Sequence, residues 1–475
     1  MALCSLFSSR PKPRQVLQSR QQQQQQQQQW SLNFPPPPRS PLACGLFILT
    51  VAVLLVFSSW TTKLQRYRIL SQNPIMLQLQ ETSKISQFQA QIFSSPPPPP
   101  PPPQQPLQSQ ESRNKNMGPY HNWEIFSADY QEMLRNFKIF VYPDVYSSKK
   151  TKNSNSPNYD SIFLPFENPT NPKIGNYYSE HAFKVALLKS SLITNLPEEA
   201  SFFFMPFSIN AMRNHPLLHS ASSISDFLAN YTKRISSEFA FWNASAGADH
   251  FFVCCHSIGR DAASKHPDLH KNAIQVTCSS SYFQRFYIAH KDVGLPQVWP
   301  RKNDHRGEFN PPDARDILVF FAGRAQNSLV RQKILDLWRN DTSFAISSGG
   351  SSIPYEEGFR RSRYCLHVKG YEVNTARISD AIHFGCIPVI ISNYYDLPLA
   401  SVLDWSEFSI IINEGDVAVL KDILLSVSKE TYLKLYKNLS FVRRHFAWHT
   451  PPKNYDSFYM TTYQLWLKRG LQRIS

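Results

Sequence analysis

The commonest catalytic and nucleotide-binding signatures are missing from this chain. It contains no G-x-G-x-x-G, no Walker loop and no H-E-x-x-H, which removes the usual dinucleotide, nucleoside-triphosphate and metalloprotease motifs. No G-x-S-x-G elbow is present either, so a serine hydrolase has no nucleophile turn. The absence of any Asp-x-Asp means that a diphosphate would be met by arginines and backbone N–H groups, and neither a metal nor a bound cofactor is expected.

Acidic residues are absent from the first 80 positions, which carry eight Lys and Arg. That region holds +8 of the formal +15, leaving +7 for the remainder. A nucleic-acid partner is therefore not expected, and the modest basicity of the rest suits anionic small ligands or acidic polymers. Cysteine is also sparse: beyond residue 60 only Cys254, Cys255, Cys278, Cys365 and Cys386 remain. Their spacing fits no zinc pattern and most lie in apolar runs, so buried thiols, with room for one disulfide among them, are expected.

One long run stands out among the segments that are present. Leu42 to Trp60 offers 19 residues without a charge, enough to span a bilayer as a retained anchor rather than a cleaved signal peptide. Residues 1–41, with nine consecutive glutamines, read as a disordered cytosolic tail, and residues 61–119, with eight consecutive prolines, as an extended stem. Five basic residues precede the span and three closely follow it, a weak vote for the body lying outside the cytosol. Sequons at Asn230, Asn243, Asn340 and Asn438 fit the same orientation.

From Tyr120 onward, short apolar strands alternate with longer helical patterns, which favours doubly wound α/β sheets. The charged, Pro-rich stretch from Pro300 to Arg315 divides two such series. An N-terminal domain is expected over 120–305, a second over 306–430 and a helical segment over 431–475, with the site in the cleft between the two domains. In the second, "YCLHV", a glycine loop, a helix that Asn374 or Thr375 can cap, Gly385 and "CIPVIIS" make a βαβ unit. Its loop carries Gly370 and Glu372 to the carboxyl end of a strand, where α/β folds place ligands, and Arg377 follows in the helix. The plain alternative is a loop carboxylate paired with a helix arginine. "FFAGRAQNSLVRQKIL" supplies a second turn, with Gly323 and Arg324 at a strand end and Arg331 beyond, suited to a diphosphate.

Taken in order, "HNWEIFSADYQEMLRNFKIFVYP", "EEASFFFMPF", "ADHFFVCCHSIGR", "KDVGLPQ" and "RRSRYCLHVKGYEVNTARISDAIHFGCIPVIIS" resemble the exostosin-like glycosyltransferases of family 47 across roughly Tyr120 to Trp448. The resemblance implies a glycosyltransferase B fold of two Rossmann-like domains facing a cleft, behind the anchor and stem. It further implies a type II protein of the Golgi membrane with its body in the lumen, taking a UDP-sugar as donor substrate and a plant wall polysaccharide as acceptor, with inversion. By similarity, Arg324 and Arg377 serve the diphosphate and Glu372 the ribose or sugar, with Gly323, Arg331, Gly370 and Asp380 on the same donor side. Asp380 stands where a Glu is usual, Asn374-Thr375 replaces a small residue and proline, and His367-Val368-Lys369 replaces a Cys-Pro-small stretch. These departures leave room for a catalytically silent assembly partner of other glycosyltransferases.

On the opposite domain the candidate bases are His256, Glu180 and Asp249. An inverting transfer needs one imidazole or carboxylate to take the acceptor hydroxyl's proton. His256 ranks first because it follows its strand directly and an unperturbed imidazole titrates near about 6.5. Glu180 opens a helix, and Asp249 precedes its strand.

Overall fold

The computed structural model describes residues 118–470 apart from 145–157, 164–174, 176, 284–285, 302–306, 327 and 350–352. The expected tail, anchor and nearly all of the stem lie outside the described residues. Among the described residues no helix is long and apolar enough to cross a membrane.

Two parallel sheets organise the body. The first runs β2-β1-β3-β4-β5-β6, built from β1 (Ile139–Val141), β2 (Ile193–Thr194), β3 (Phe202–Phe204), β4 (His250–Val253), β5 (Ile274–Thr277) and β6 (Val293–Gly294). The second runs β11-β10-β9-β7-β8, built from β7 (Ile317–Ala322), β8 (Phe344–Ser347), β9 (Ser362–Val368), β10 (Ile387–Ile391) and β11 (Ile410–Ile411). Nine of these strands lie within runs legible in the sequence. Strands β2 and β6 are not legible, because these two-residue strands lie in no continuous apolar run, whereas the equally short β11 sits in "FSIIIN".

The strands are apolar throughout because helices cover both faces. In β3 the alternation of side chains sends Phe202 and Phe204 into one core while Phe203 enters the other, where it joins Phe252, Met205 and Tyr231. The larger core is continuous from Tyr120 to Trp466 and includes residues of both sheets.

The βαβ unit forms as read: β9 and β10 pair from Tyr364 with Ile387 to Val368 with Ile391, connected through the helix Arg377–Phe384. Gly385 ends that helix at φ +71°, and an added Cβ would meet the Phe309 ring at 2.4 Å, so backbone and space both demand glycine. The start differs from expectation, since the N-cap is Ala376 with no side-chain cap. Asn374 donates instead to the Gln297 side chain at 2.6 Å. Thr375 spends its hydroxyl on His367 Nδ1 at 3.0 Å and on the Arg377 N–H at 3.3 Å.

Chain ends and sheets are interleaved rather than consecutive. Tyr120 bridges to Leu403, and its hydroxyl meets His445 Nε2 at 2.9 Å. The last helix, Ser457–Lys468, returns to the first sheet's side: Tyr463 and Trp466 each donate to the Asp129 carboxylate at 2.9 Å, and Phe458 packs on Phe183. The cysteine expectation needs correction. Two disulfides form, Cys255–Cys278 and Cys365–Cys386, and among the described cysteines Cys254 stays a buried thiol. Each disulfide joins neighbouring structure that sequence spacing does not reveal: the ends of β4 and β5, and the adjacent strand β9 and start of β10.

Candidate functional site

A cleft of about 760 Å³ opens at the carboxyl ends of the second sheet's strands, as parallel sheets dictate. Its lining comes from the turn after β7 (Gly323, Arg324), the loop after β9 (Gly370 to Glu372) and the first turn of the following helix (Arg377). The opposing wall is Tyr177, Gln297 and Trp299.

Two guanidiniums converge on one aromatic ring at its floor. Arg377 lies 5.4 Å from the centre of Phe321 and Arg331 lies 5.9 Å from it. Arg377 Nε donates to the Ala322 carbonyl at 2.8 Å, which leaves both Nη groups without a hydrogen-bond partner among the described residues. Arg331 is held more completely, with Nε and Nη2 on the Val368 carbonyl at 3.1 and 2.8 Å and Nη1 on the Arg324 carbonyl at 3.0 Å. Among the described residues neither has a carboxylate within ion-pair distance; the nearby pairs Arg260–Glu372 and Arg301–Asp380 engage other arginines. Burial, and then the charge of Arg377, push the Arg331 guanidinium down to about 10, because both disfavour its charged form. The glycines make this approach possible. A Cβ on Gly323 would lie 2.6 Å from Arg377 Nη2, and one on Gly370 would lie 2.9 Å from Arg331 Nη2.

Glu372 lies at the cleft wall and crosses to the other half of the protein. Its Oε2 accepts from Arg260 Nη2 at 2.6 Å and from the Ser279 hydroxyl at 2.7 Å, while Oε1 has no partner. Burial opposes ionisation, but the Arg260 guanidinium and the hydroxyls outweigh it and hold the carboxyl below its usual value. Glu372 is thus a paired carboxylate, though its partner is Arg260 and not the helix arginine Arg377.

Asp380 is separated from this cleft. It is buried, receives a hydrogen bond from Tyr355 at 2.8 Å and pairs with Arg301, and it lines a neighbouring cavity of about 720 Å³. Trp299, Tyr355 and Arg377 are common to both cavities.

The three candidate bases do not line the cleft. Glu180 is 3% exposed and accepts from the Ser208 hydroxyl at 2.6 Å and from the N–H groups of Asn210 and Cys255 at 2.9 and 3.4 Å. It ties the segments that follow β3 and β4 to the helix Tyr178–Leu188. Asp249 sits at the amino end of β4, bonded to the Ser245 hydroxyl and to His250 Nδ1 at 2.7 Å. His256 caps the helix Ser257–Ser264, accepting the Ile258 N–H on Nδ1 at 3.0 Å. That bond leaves the neutral ring's proton on Nε2, so the free nitrogen is a donor. Burial and the charge of Arg213 push the ring down to about 4, well below the unperturbed value expected for it. His256 stands behind Tyr177, whose ring is 4.6 Å away.

Sequence reasoning missed Tyr177, Gln297, Trp299, Tyr355 and Tyr371 as cleft residues. A tryptophan beside a proline where the two α/β series meet was the one available signal. Trp299 packs against Gly175, where a Cβ would come within 2.8 Å of its ring.

Parallel sheets with glycine turns and two arginines at their strand ends define an α/β protein with a cationic cleft. Residues 133–427 match the Exostosin GT47 domain. A probable glycosyltransferase of Arabidopsis thaliana is 33% identical over 364 residues, 74% of this chain and 66% of that protein. A probable glucuronoxylan glucuronosyltransferase of the same plant is 27% identical over 69% of this chain and 75% of its own. Among solved structures, TarM aligns with a TM-score of 0.28 at 10% identity, over 47% of this chain and 55% of its own. The chain belongs to the exostosin GT47 family of glycosyltransferases, and it spans about two thirds of the length of the first relative.

Proposed function

We propose that this protein is a type II Golgi membrane enzyme that transfers a sugar from a UDP-sugar to a plant wall polysaccharide with inversion, on a glycosyltransferase B arrangement of its two sheets. The observation that carries this reading is the pair Arg331 and Arg377 on Phe321, two cations without an anion at the strand ends. The leaving diphosphate lies against the Arg377 Nη groups, the Gly323 turn and Arg324, so that growing negative charge meets fixed donors. Names of relatives in plant xylan synthesis support the wall acceptor. The acceptor hydroxyl's proton goes to Glu372, the carboxylate among the described residues that lines the cleft.

Incubating the lumenal body with a panel of UDP-sugars and wall oligosaccharides, followed by product analysis, tests the activity. A catalytically silent assembly partner is the second reading, favoured by the Asp380 departure now that its carboxylate is occupied by Arg301 and Tyr355. Thermal shift with UDP separates the two, because a ligand that binds only the folded state raises the unfolding temperature. No response to UDP and no product would overturn the enzymatic reading.

A further inference from the structure

Three aromatic side chains outside the donor cleft are exposed where core packing would hide them: Phe283 at 79%, Tyr282 at 61% and Tyr394 at 61%. They come from two loops, one following β5 and one following β10. These loops are locked together across the two halves by the Ser281–Tyr395 bridge, the Tyr282 N–H on the Tyr394 carbonyl at 2.9 Å and the Ser280 hydroxyl on the Asp396 carbonyl at 2.6 Å. Phe283 and Tyr394 touch, with ring centres 5.5 Å apart and planes inclined by 32°, so their outer faces form one shelf.

The backbone supports this display at a cost. Tyr394 has φ +63°, in the left-handed region that a bulky side chain rarely adopts, and such strain persists where surrounding structure over-determines it. Beside Tyr394 lies a hollow of about 410 Å³ lined by Asn393 and Asn413, within the ~300–1,000 Å³ range of small-ligand sites. The side-chain oxygens of these two amides already accept from the N–H groups of Glu414 and Gly415, leaving the amide N–H groups as donors. Rings with apolar faces beside oriented amides match a sugar, whose C–H face stacks while its hydroxyls hydrogen-bond.

The shelf stands on the same strand-end rim as the cleft, because β10 neighbours β9 in the sheet. Ser279, three residues before Tyr282, holds Glu372 Oε2 at 2.7 Å. On the other side Glu414 links Lys369 at 2.7 Å to the Asn393 N–H at 2.7 Å, joining the Gly370–Glu372 loop to the Tyr394 loop. A chain that leaves the cleft along this rim, from the loop after β9 to the loop after the neighbouring β10, meets Tyr394 and Phe283.

We propose that Phe283 and Tyr394 form a binding shelf for the distal sugars of the acceptor polysaccharide, which selects long chains over short ones. The inference rests on the glycosyltransferase reading for its acceptor, but binding can be measured without transfer. The variants are Tyr394→Gly, which removes the ring and relieves the positive φ, Phe283→Ser, and Tyr394→Phe, which keeps the stacking face.

Affinity electrophoresis of the whole lumenal body through gels containing soluble xylan reads binding alone. The parent should be retarded, Tyr394→Gly with Phe283→Ser should lose most retardation, and Tyr394→Phe should keep it. Where transfer is measurable, the double variant should raise KM for a long acceptor about tenfold, as loss of one good stacking contact implies. Its kcat, its KM for a disaccharide acceptor and its UDP affinity should stay unchanged. Retained xylan binding in a folded double variant, or no xylan binding by the parent, would overturn the shelf. A change of oligomeric state by light scattering with unchanged glycan binding would make it a protein interface instead. Absence of transfer with intact, shelf-dependent xylan binding would count against the enzymatic reading and leave the shelf standing.

Discussion

Arg260 Nη2 donates to Glu372 Oε2 at 2.6 Å, a buried ion pair that joins the helix after β4 to the loop after β9. Removing one partner strands the other, so Arg260→Ala should lower stability by about 3–5 kcal/mol in denaturant titrations near neutral pH. The sign with pH follows from Glu372, whose carboxyl is held below its ordinary 4.5 in the folded protein. Its contribution is complete above that value and disappears as pH falls through the lower folded value. A parent and Arg260→Ala protein of equal stability at pH 7 would contradict this account.

Arg377 and Arg331 should respond differently although they share a ring. Arg377→Ala removes the free Nη donors and should cost about 2.7–4 kcal/mol of transition-state stabilisation, a hundredfold or more in turnover. Arg377→Lys should rescue little, since an ammonium cannot reproduce the planar fork that holds the Ala322 carbonyl with Nε and presents both Nη groups to a diphosphate. Arg331→Ala leaves the buried Val368 carbonyl unpaired, so it should also destabilise the fold by about 1–3 kcal/mol. Steady-state kinetics with thermal unfolding of each variant distinguish the two outcomes.

For the proton acceptor, Glu372→Gln should lower turnover by about 100- to 10,000-fold, with UDP affinity within about twofold. His256→Ala should leave turnover within a few-fold and remove a helix cap, at about 0.5–2 kcal/mol of stability. A dead His256→Ala beside an active Glu372→Gln would return the role to the imidazole.

Glycan occupancy tests topology. Asn230, Asn243 and Asn340 are exposed, whereas Asn438 is buried and its amide donates to the Glu407 carbonyl at 2.8 Å. With the body in the lumen, mass spectrometry should find glycans on the first three sites and none on Asn438. A wholly unglycosylated body from plant membranes would argue against a lumenal location.

Chelation tests how the diphosphate charge is met. If arginines and backbone donors suffice, EDTA should leave transfer nearly unchanged. Loss of activity restored by manganese would show that a cation shares the work.

Local sequence determined the elements that depend on neighbouring residues. Continuous apolar runs made β7, β9 and β10 legible because parallel strands are covered on both faces. Gly385 marked a helix end because a left-handed residue with a phenyl ring against its Cα admits little else. The strand-end turns at Gly323 and Gly370 are legible by the same local logic, and the cleft opens at both. Only the tertiary structure decided which charges meet: Glu372 takes Arg260, 112 positions away, Asp380 takes Arg301, and His256 spends Nδ1 on its own helix. Pairing across a fold depends on how sheets and crossing segments pack, and that long-range choice leaves no period or spacing in the chain.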